Sequence, residues 1–198
     1  MTEISAGLVK ELREKSGAGM MDCKGALVEA GGDMDKAIEI LRKKGIAKAA
    51  KRSERAANEG NIEAYIHPGS KLGVLVEVNC ETDFVANTDD FKHLSRDIAM
   101  QIAASAPQYV SREEVPQNVI DQEMEIYKEQ ARNQGKPENI LEKIAQGKLD
   151  KFYSEICLLE QPFVKNPDQS IKSLLDEAIG KIGENITIRR FSRFKVGE

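Results

Sequence analysis

Histidine and cysteine are scarce in this sequence, and with them go the commonest seats of side-chain catalysis and transition-metal binding. Only His67 and His93 carry an imidazole. Neither has a nucleophile at a suggestive spacing, so no catalytic residue is assigned and both read as surface or packing histidines. Cys23, Cys80 and Cys157 are odd in number and far apart. They lack the close pairing of a zinc site or a disulfide framework and read as reduced packing thiols. No apolar run approaches the roughly 18 residues of a membrane span, and the N-terminus lacks the apolar core of a signal peptide. The expectation is a cytoplasmic protein with no membrane partner. Excess positive charge is missing too: 29 Lys and Arg stand against 33 Asp and Glu, a formal charge of −4. No overall field exists to hold nucleic acid, so none is expected to bind directly. There is no Gly-x-x-x-x-Gly-Lys-Ser/Thr loop, and Gly17-Ala18-Gly19 follows a helical pattern rather than a strand, the wrong setting for a dinucleotide fingerprint. What these absences leave is a function exerted by binding, without a cofactor.

With 198 residues, 40% of them hydrophobic, the chain can bury one substantial core beside a small accessory domain. The predicted class is α+β. Residues 1–45 read as a domain of three short helices. Ser5 can cap the first, on which Leu8 and Leu12 stack; Gly17 and Gly19 break the chain; Cys23, Leu27 and Ala30 line the second, ended by Gly31-Gly32. Asp33 can cap the third, with Met34, Ala37, Ile38 and Leu41, and Gly45 is placed to end it. Residues 46–59 read as a basic, solvent-facing linker helix, since Ala47 to Asn58 carries Lys48, Lys51, Arg52 and Arg55 with only alanines for an apolar stripe. With no aromatic residue for base stacking, it is a poor RNA arm.

Residues 60–198 read as the core domain, a three-stranded antiparallel sheet packed with helices. Ile62, Ala64 and Ile66 alternate with Glu63, Tyr65 and His67, and Pro68-Gly69-Ser70-Lys71 turns into a strand with Leu72, Val74, Val76 and Val78 on one face and Leu75 on the other. An antiparallel helical pair is marked by Ile120, Met124, Tyr127 and Ala131, then, past Gly135-Lys136-Pro137, by Ile140, Leu141 and Ile144. The pattern resumes past Gly147, and Gln161-Pro162-Phe163-Val164 breaks it. A last helix carries Ile171, Leu174, Ala178 and Ile182 and ends at Gly183. In the strand that follows, Ile186 and Ile188 share one phase, Phe191 takes the other and Phe194 returns to the first. That strand either bulges near Arg190 or buries both faces.

Between the hairpin and the next helix stands Glu77-Val78-Asn79-Cys80-Glu81-Thr82-Asp83-Phe84-Val85-Ala86-Asn87. The strand pattern fails at Cys80, and Thr88-Asp89-Asp90 offers caps for a helix carrying Phe91, Leu94, Ile98 and Ile102. Asp83 and Phe84 fall in the connection. The ring can project as a tool for entering another protein's pocket, or fold back and plug the strand-to-helix corner; residue chemistry alone favours the plug. Glu77, Glu81 and Asp83 bring carboxylates together, but no fourth ligand or histidine accompanies them, so no metal is assigned.

Residues 77–85, with Leu12-Arg13-Glu14-Lys15-Ser16-Gly17-Ala18-Gly19-Met20-Met21-Asp22-Cys23-Lys24 near the start and Ile182-Gly183-Glu184-Asn185-Ile186-Thr187-Ile188-Arg189-Arg190 near the end, resemble the elongation factor Ts family, the nucleotide exchange factors of elongation factor Tu. The three motifs stand in the family's order and span the chain. The resemblance reverses the reading of Phe84. It implies that Thr82, Asp83, Phe84 and Val85 act on the partner GTPase, with Asp83 and Phe84 entering its nucleotide-binding domain and displacing the magnesium ion that holds GDP. It further implies that the N-terminal bundle has a ubiquitin-associated-like fold and docks on the GTPase domain.

The docking candidates are Lys10 and Arg13, three apart on a helix face beside Leu12, and Met20 and Met21. Adjacent methionines at a helix start cannot both face one core, so one is expected to be exposed as a soft contact surface. A solvated face and simple core filling stay open as alternatives. Family members this short have a single core subdomain and are associated with dimers that pair their sheets, which implies a homodimer through the second face of the last strand. The alternative function is a non-catalytic protein-interaction adaptor with a ubiquitin-associated-like domain; an enzyme has no recognisable site.

Overall fold

The computed structural model describes residues 4–198, so the first three residues of the predicted N-terminal domain lie outside the described part. The class is α+β: among the described residues there are eight α-helices, a three-stranded antiparallel sheet and a separate two-stranded sheet. The helices are α1 (Ala6–Ser16), α2 (Met20–Glu29), α3 (Met34–Arg52), α4 (Asp83–Ala86), α5 (Asp89–Ser105), α6 (Gln117–Asn133), α7 (Glu138–Ile156) and α8 (Ile171–Ile182). The strands are β1 (Glu59–Ile66), β2 (Leu72–Cys80), β3 (Pro162–Phe163), β4 (Asn166–Ser170) and β5 (Ile186–Lys195), and the larger sheet has the order β1-β2-β5. Contacts group the chain into two compact units, one of Met1–Glu63, Glu77–Ser95 and Ser173–Ile188, the other of Ala64–Val76, Arg96–Lys172 and Arg189–Glu198.

In the first unit, α1 and α3 begin where their caps predict. The Ser5 hydroxyl accepts the Leu8 N–H at 3.2 Å and the Asp33 carboxylate accepts the Lys36 N–H at 3.1 Å. Val9, Leu12, Cys23, Ala26, Leu27 and Ala37 form the buried cluster between α1, α2 and α3. The stop expected at Gly45 does not occur, and α3 continues to Arg52. A glycine inside a helix costs about 1 kcal/mol relative to alanine; here packing offsets it. The Gly45 Cα lies 3.3 Å from the point a Cβ on Gly180 of α8 would occupy, a tight contact for a side chain at Gly180, whereas a Cβ on Gly45 would meet open space. Ala49 is buried and the Arg52 guanidinium donates to the Ile179 carbonyl at 3.1 Å, a cation set at the end of α8. Residues 46–52, expected as part of a solvent-facing linker helix, are helical as the end of α3 and mostly exposed, with Ala49 buried. Of their alanines, Ala49 is buried while Ala47 and Ala50 stay exposed. The buried stripe of α8 is Ile171, Leu175 and Ile179, one step round the helix from the half-buried Leu174, Ala178 and Ile182.

In the second unit, the β1–β2 turn closes with the His67 N–H donating to the Leu72 carbonyl at 2.9 Å. Helices α6 and α7 pair across the Gly135 turn. Arg132 meets Glu138 at 2.8 Å beside that turn, and further along Lys148 donates to Gln130 at 2.7 Å and sits over the Tyr127 ring. Leu149, Tyr153, Ile156 and Cys157 bury against Val115 and its neighbours, and α7 runs unbroken through Gly147. The stretch at Pro162, expected only as a break, forms the β3–β4 hairpin. Buried Gln101 of α5 pins it, donating to the Gln161 side chain at 3.1 Å and the Pro162 carbonyl at 3.2 Å while accepting the Val164 N–H at 2.9 Å.

Along β5, burial moves from the even positions Ile186 and Ile188 to the odd positions Phe191 and Arg193, across the exposed pair Arg189-Arg190. That is the phase slip of the bulged alternative, and it turns Phe194 outward. On the same outer face Gly73 and Leu75 alternate with buried Val74 and Val76, Ile66 reaches over Gly73, and the Val196 N–H pairs with the Lys71 carbonyl at 2.9 Å. Ile66, Leu75, Phe194 and Val196 are all exposed. No described helix is long and apolar enough to cross a membrane.

Candidate functional site

Strand β2 extends through Cys80, where the alternation was expected to fail, because the Cys80 side chain is itself fully buried. Its thiol donates to the Thr82 carbonyl at 3.1 Å; burial, with the Glu184 carboxylate adding to it, pushes the thiol up to about 11, so it keeps its proton. Thr82 then caps α4, accepting the Val85 N–H at its hydroxyl (3.4 Å) and the Ala86 N–H at its carbonyl (3.2 Å). Asp83 and Phe84, expected in the connection, are the first two residues of this one-turn helix. Below it, the Asn87 side-chain amide donates to the Asp83 carbonyl at 2.9 Å, and the Thr88 hydroxyl caps α5 by accepting the Phe91 N–H at 3.3 Å. Only Ala86 of α4 is buried, and Phe84 is 81% exposed. The ring does not plug the corner.

The foundation of the tip comes from the loop between α8 and β5. Glu184 Oε2 accepts the N–H groups of Glu81 (3.1 Å) and Thr82 (3.0 Å), and Glu184 Oε1 accepts the Thr82 hydroxyl at 2.7 Å. The tie is reciprocal, since Glu81 Oε1 accepts the Asn185 N–H at 2.6 Å. Asn185 is buried, and its amide donates to the Arg55 carbonyl at 2.7 Å, joining the chain beyond α3 to the same knot. Gly183, at φ 95°, makes the turn that presents Glu184 and Asn185 together.

The remaining predicted residues lie as follows. Val85 is half-buried behind Phe84 in the sequence of α4, while Asp83 is exposed. On the bundle, Lys10 and Arg13 are exposed, and Lys10 stands 3.8 Å from Glu14, a surface pair of little energy. Leu12 has no exposed surface; it belongs to the bundle's core and can serve a docking face only by holding Lys10 and Arg13 in place. Met20 and Met21 are both exposed, where one was expected, Met21 at 77%. Of the three carboxylates weighed as a cluster, Glu81 is spent on the tie to Asn185. The described residues contain no group of three or more His, Cys, Asp or Glu side chains able to hold a metal.

A cleft of about 230 Å³ between the bundle and α8 includes Lys15, Lys48 and Lys181. Each is already paired, with Glu11 (2.8 Å), Asp22 (2.8 Å) and Asp90 (2.9 Å). Sequence reasoning did not single out Glu184 and Asn185 as the support of the tip. The available signal was a polar Glu-Asn pair directly after a helix-ending glycine, in the very stretch that carried the third motif.

Comparison with known proteins agrees along the whole chain. Residues 34–198 match the family model described as Elongation factor TS. The chain is 66% identical over 195 residues to the elongation factor Ts of Carboxydothermus hydrogenoformans, covering 98% of this chain and 90% of that one. It is 65% identical over 198 residues to that of an Anaeromyxobacter species, covering 100% and 90%. It is 62% identical over 195 residues to that of a Thermoanaerobacter species, covering 98% and 96%.

Proposed function

The chain belongs to the elongation factor Ts family, and we propose that it is the guanine nucleotide exchange factor of elongation factor Tu, working through the tip at Thr82, Asp83, Phe84 and Val85. The observation that carries this reading is a phenylalanine held 81% exposed on a capped and anchored turn. Burying such a ring in a partner is worth roughly 1.5–3 kcal/mol, energy the free protein leaves unused. Asp83 and Phe84 enter the nucleotide-binding domain of the GTPase, shift the elements around the phosphates and displace the magnesium ion that holds GDP. Phe84 supplies apolar insertion energy. Asp83 supplies charge and an acceptor where the partner's site must rearrange.

Exchange is then linkage: this protein and GDP each weaken the other's hold on the partner by the same factor, typically about 5–150-fold. No bond is made or broken by the factor itself, so it is not an enzyme in the usual sense. The three-helix bundle, read as ubiquitin-associated-like, docks on the GTPase domain through Lys10, Arg13, Met20 and Met21, with Leu12 beneath them. Acting on a translation GTPase places the protein in the cytoplasm. A homodimer forms through the outer sheet face bearing Ile66, Leu75, Phe194 and Val196. The test is release of fluorescent GDP from purified elongation factor Tu: catalytic amounts of the protein accelerate it. Binding without acceleration identifies an adaptor instead.

A further inference from the structure

We infer that Glu184 is a positioning residue for exchange: its carboxylate sets the pose of the tip from which Phe84 projects, without itself touching the partner. The inference rests on the exchange reading above and deepens it.

A helix of four residues does not hold itself together, because nucleating a first turn fixes several dihedral angles for one hydrogen bond. Burial does not hold it either, since Ala86 is its one buried residue. Local bonding closes its lower end, through Asn87 and Thr88. Its upper end depends on Thr82, whose hydroxyl must point at the Val85 N–H to cap the turn. Glu184 determines where that hydroxyl points. One carboxylate accepts the Thr82 hydroxyl and also takes the two backbone N–H groups that β2 releases as it ends. Charge-assisted bonds of this kind are about twice as strong as neutral ones, and N–H groups left without an acceptor would be penalised by desolvation.

Three bonds from one side chain fix the backbone at residues 81 and 82 and the capping hydroxyl together. Glu81, bonded back to the Asn185 N–H, prevents the loop and the strand end from sliding past each other. Asp83 and Phe84 follow immediately, so an error in the orientation of Thr82 passes directly to the ring. A misplaced tip lowers the rate at saturation while leaving docking by the rest of the molecule intact.

The chemistry predicts which substitutions are tolerated. In Glu184→Gln the amide oxygen can take the two N–H groups and the amide N–H₂ can donate to the Thr82 oxygen, so the constellation survives. Glu184→Asp keeps the charge but is one methylene too short, and Glu184→Ala removes every acceptor.

The experiment measures stimulated GDP release from elongation factor Tu for the wild type, Glu184→Ala, Glu184→Gln, Phe84→Ala and the Glu184→Ala/Phe84→Ala double variant. Amide hydrogen exchange at Glu81 and Thr82 is followed alongside. Glu184→Ala is expected to lower the saturating release rate by about 10-fold or more, with a half-saturating concentration within about 3-fold of wild type and lost protection at Glu81 and Thr82. Glu184→Gln should restore most of the rate. In the double variant Glu184→Ala should add less than about 2-fold to the Phe84→Ala loss, because both act through one ring. If Glu184→Ala lacks a cooperative melt, Glu184→Asp replaces it in the same comparison. A normal saturating rate in Glu184→Ala, or losses that multiply in the double variant, overturns the positioning role. If Phe84→Ala itself releases GDP as fast as wild type, the exchange reading of the tip fails instead, and the two failures are told apart.

Discussion

Phe84 and Phe91 are the same residue seven positions apart, one 81% exposed and the other fully buried. The difference lies in the elements that carry them. Phe91 opens the apolar stripe of α5, a 17-residue helix that also buries Leu94, Ile98 and Ile102, so its ring is one of several that share a face. Phe84 stands on a helix of four residues with no stripe to join. Hydrophobicity therefore does not decide where a ring goes; the length and anchoring of its element do. One ring contributes to the stability of this fold; the other leaves its apolar surface exposed, where the exchange reading proposed above would use it.

Removing each ring tests the contrast. Phe91→Ala opens a cavity in a fully buried site and is expected to cost about 3–5 kcal/mol of stability, read as a lowered denaturation midpoint. Phe84→Ala should leave stability within about 0.5 kcal/mol of wild type, yet slow stimulated GDP release by about 10–100-fold. Phe84→Leu keeps the bulk and should fall between. Asp83→Ala should lose less than Phe84→Ala, since it removes one polar contact. A large stability loss in Phe84→Ala with normal exchange would show that the two rings do the same job.

A third ring sharpens the comparison. Phe194 is exposed like Phe84, but on a sheet face shared with Ile66, Leu75 and Val196. Light scattering of the wild type should give about twice the 22.0 kDa chain mass, and Phe194→Asp should return it towards one chain, because a charge placed in an apolar interface goes unpaired. A wild-type monomer at high micromolar concentration would leave Phe194 without this role.

The smallest effect concerns pH. Burial pushes both the Cys80 and the Cys157 thiols up from about 9 to about 11. A group whose pKa is raised on folding adds stability that is fully present below its unfolded value and is lost as pH rises through its folded value. Stability should therefore decline between about pH 9 and pH 11. The slope should be shallower in Cys157→Ala, measured by chemical denaturation across that range.

Much of the architecture was legible in the chain because it rests on local rules. Ser5 and Asp33 cap their helices as their side chains dictate, the Pro68–Lys71 turn closes a hairpin, and the turn at Gly135-Lys136-Pro137 separates two amphipathic helices whose apolar positions recur at helical spacing. These signals lie within a few residues of the structure they specify. Even the phase slip in β5 was visible, since alternation is a property of neighbours, although which face stayed open was not.

What the chain alone left open involves residues far apart. Gly45 looks like a helix stop until α3 is seen to run past it to Arg52; a glycine that ends a helix and one that lies inside it have the same side chain. Residues 46–52 look like a linker until Ala49 is found buried and Arg52 is found bonded to the Ile179 carbonyl of α8. Thr82, Asp83, Phe84 and Val85 could be marked by resemblance as the working stretch. Beneath the exposed Phe84, the strand end is bonded to a carboxylate 102 residues from Thr82 in the chain. Sequence carries the pattern of an element because that pattern is periodic and local. It does not carry the partner of a capping hydroxyl, because only folding brings Glu184 within 2.7 Å of Thr82.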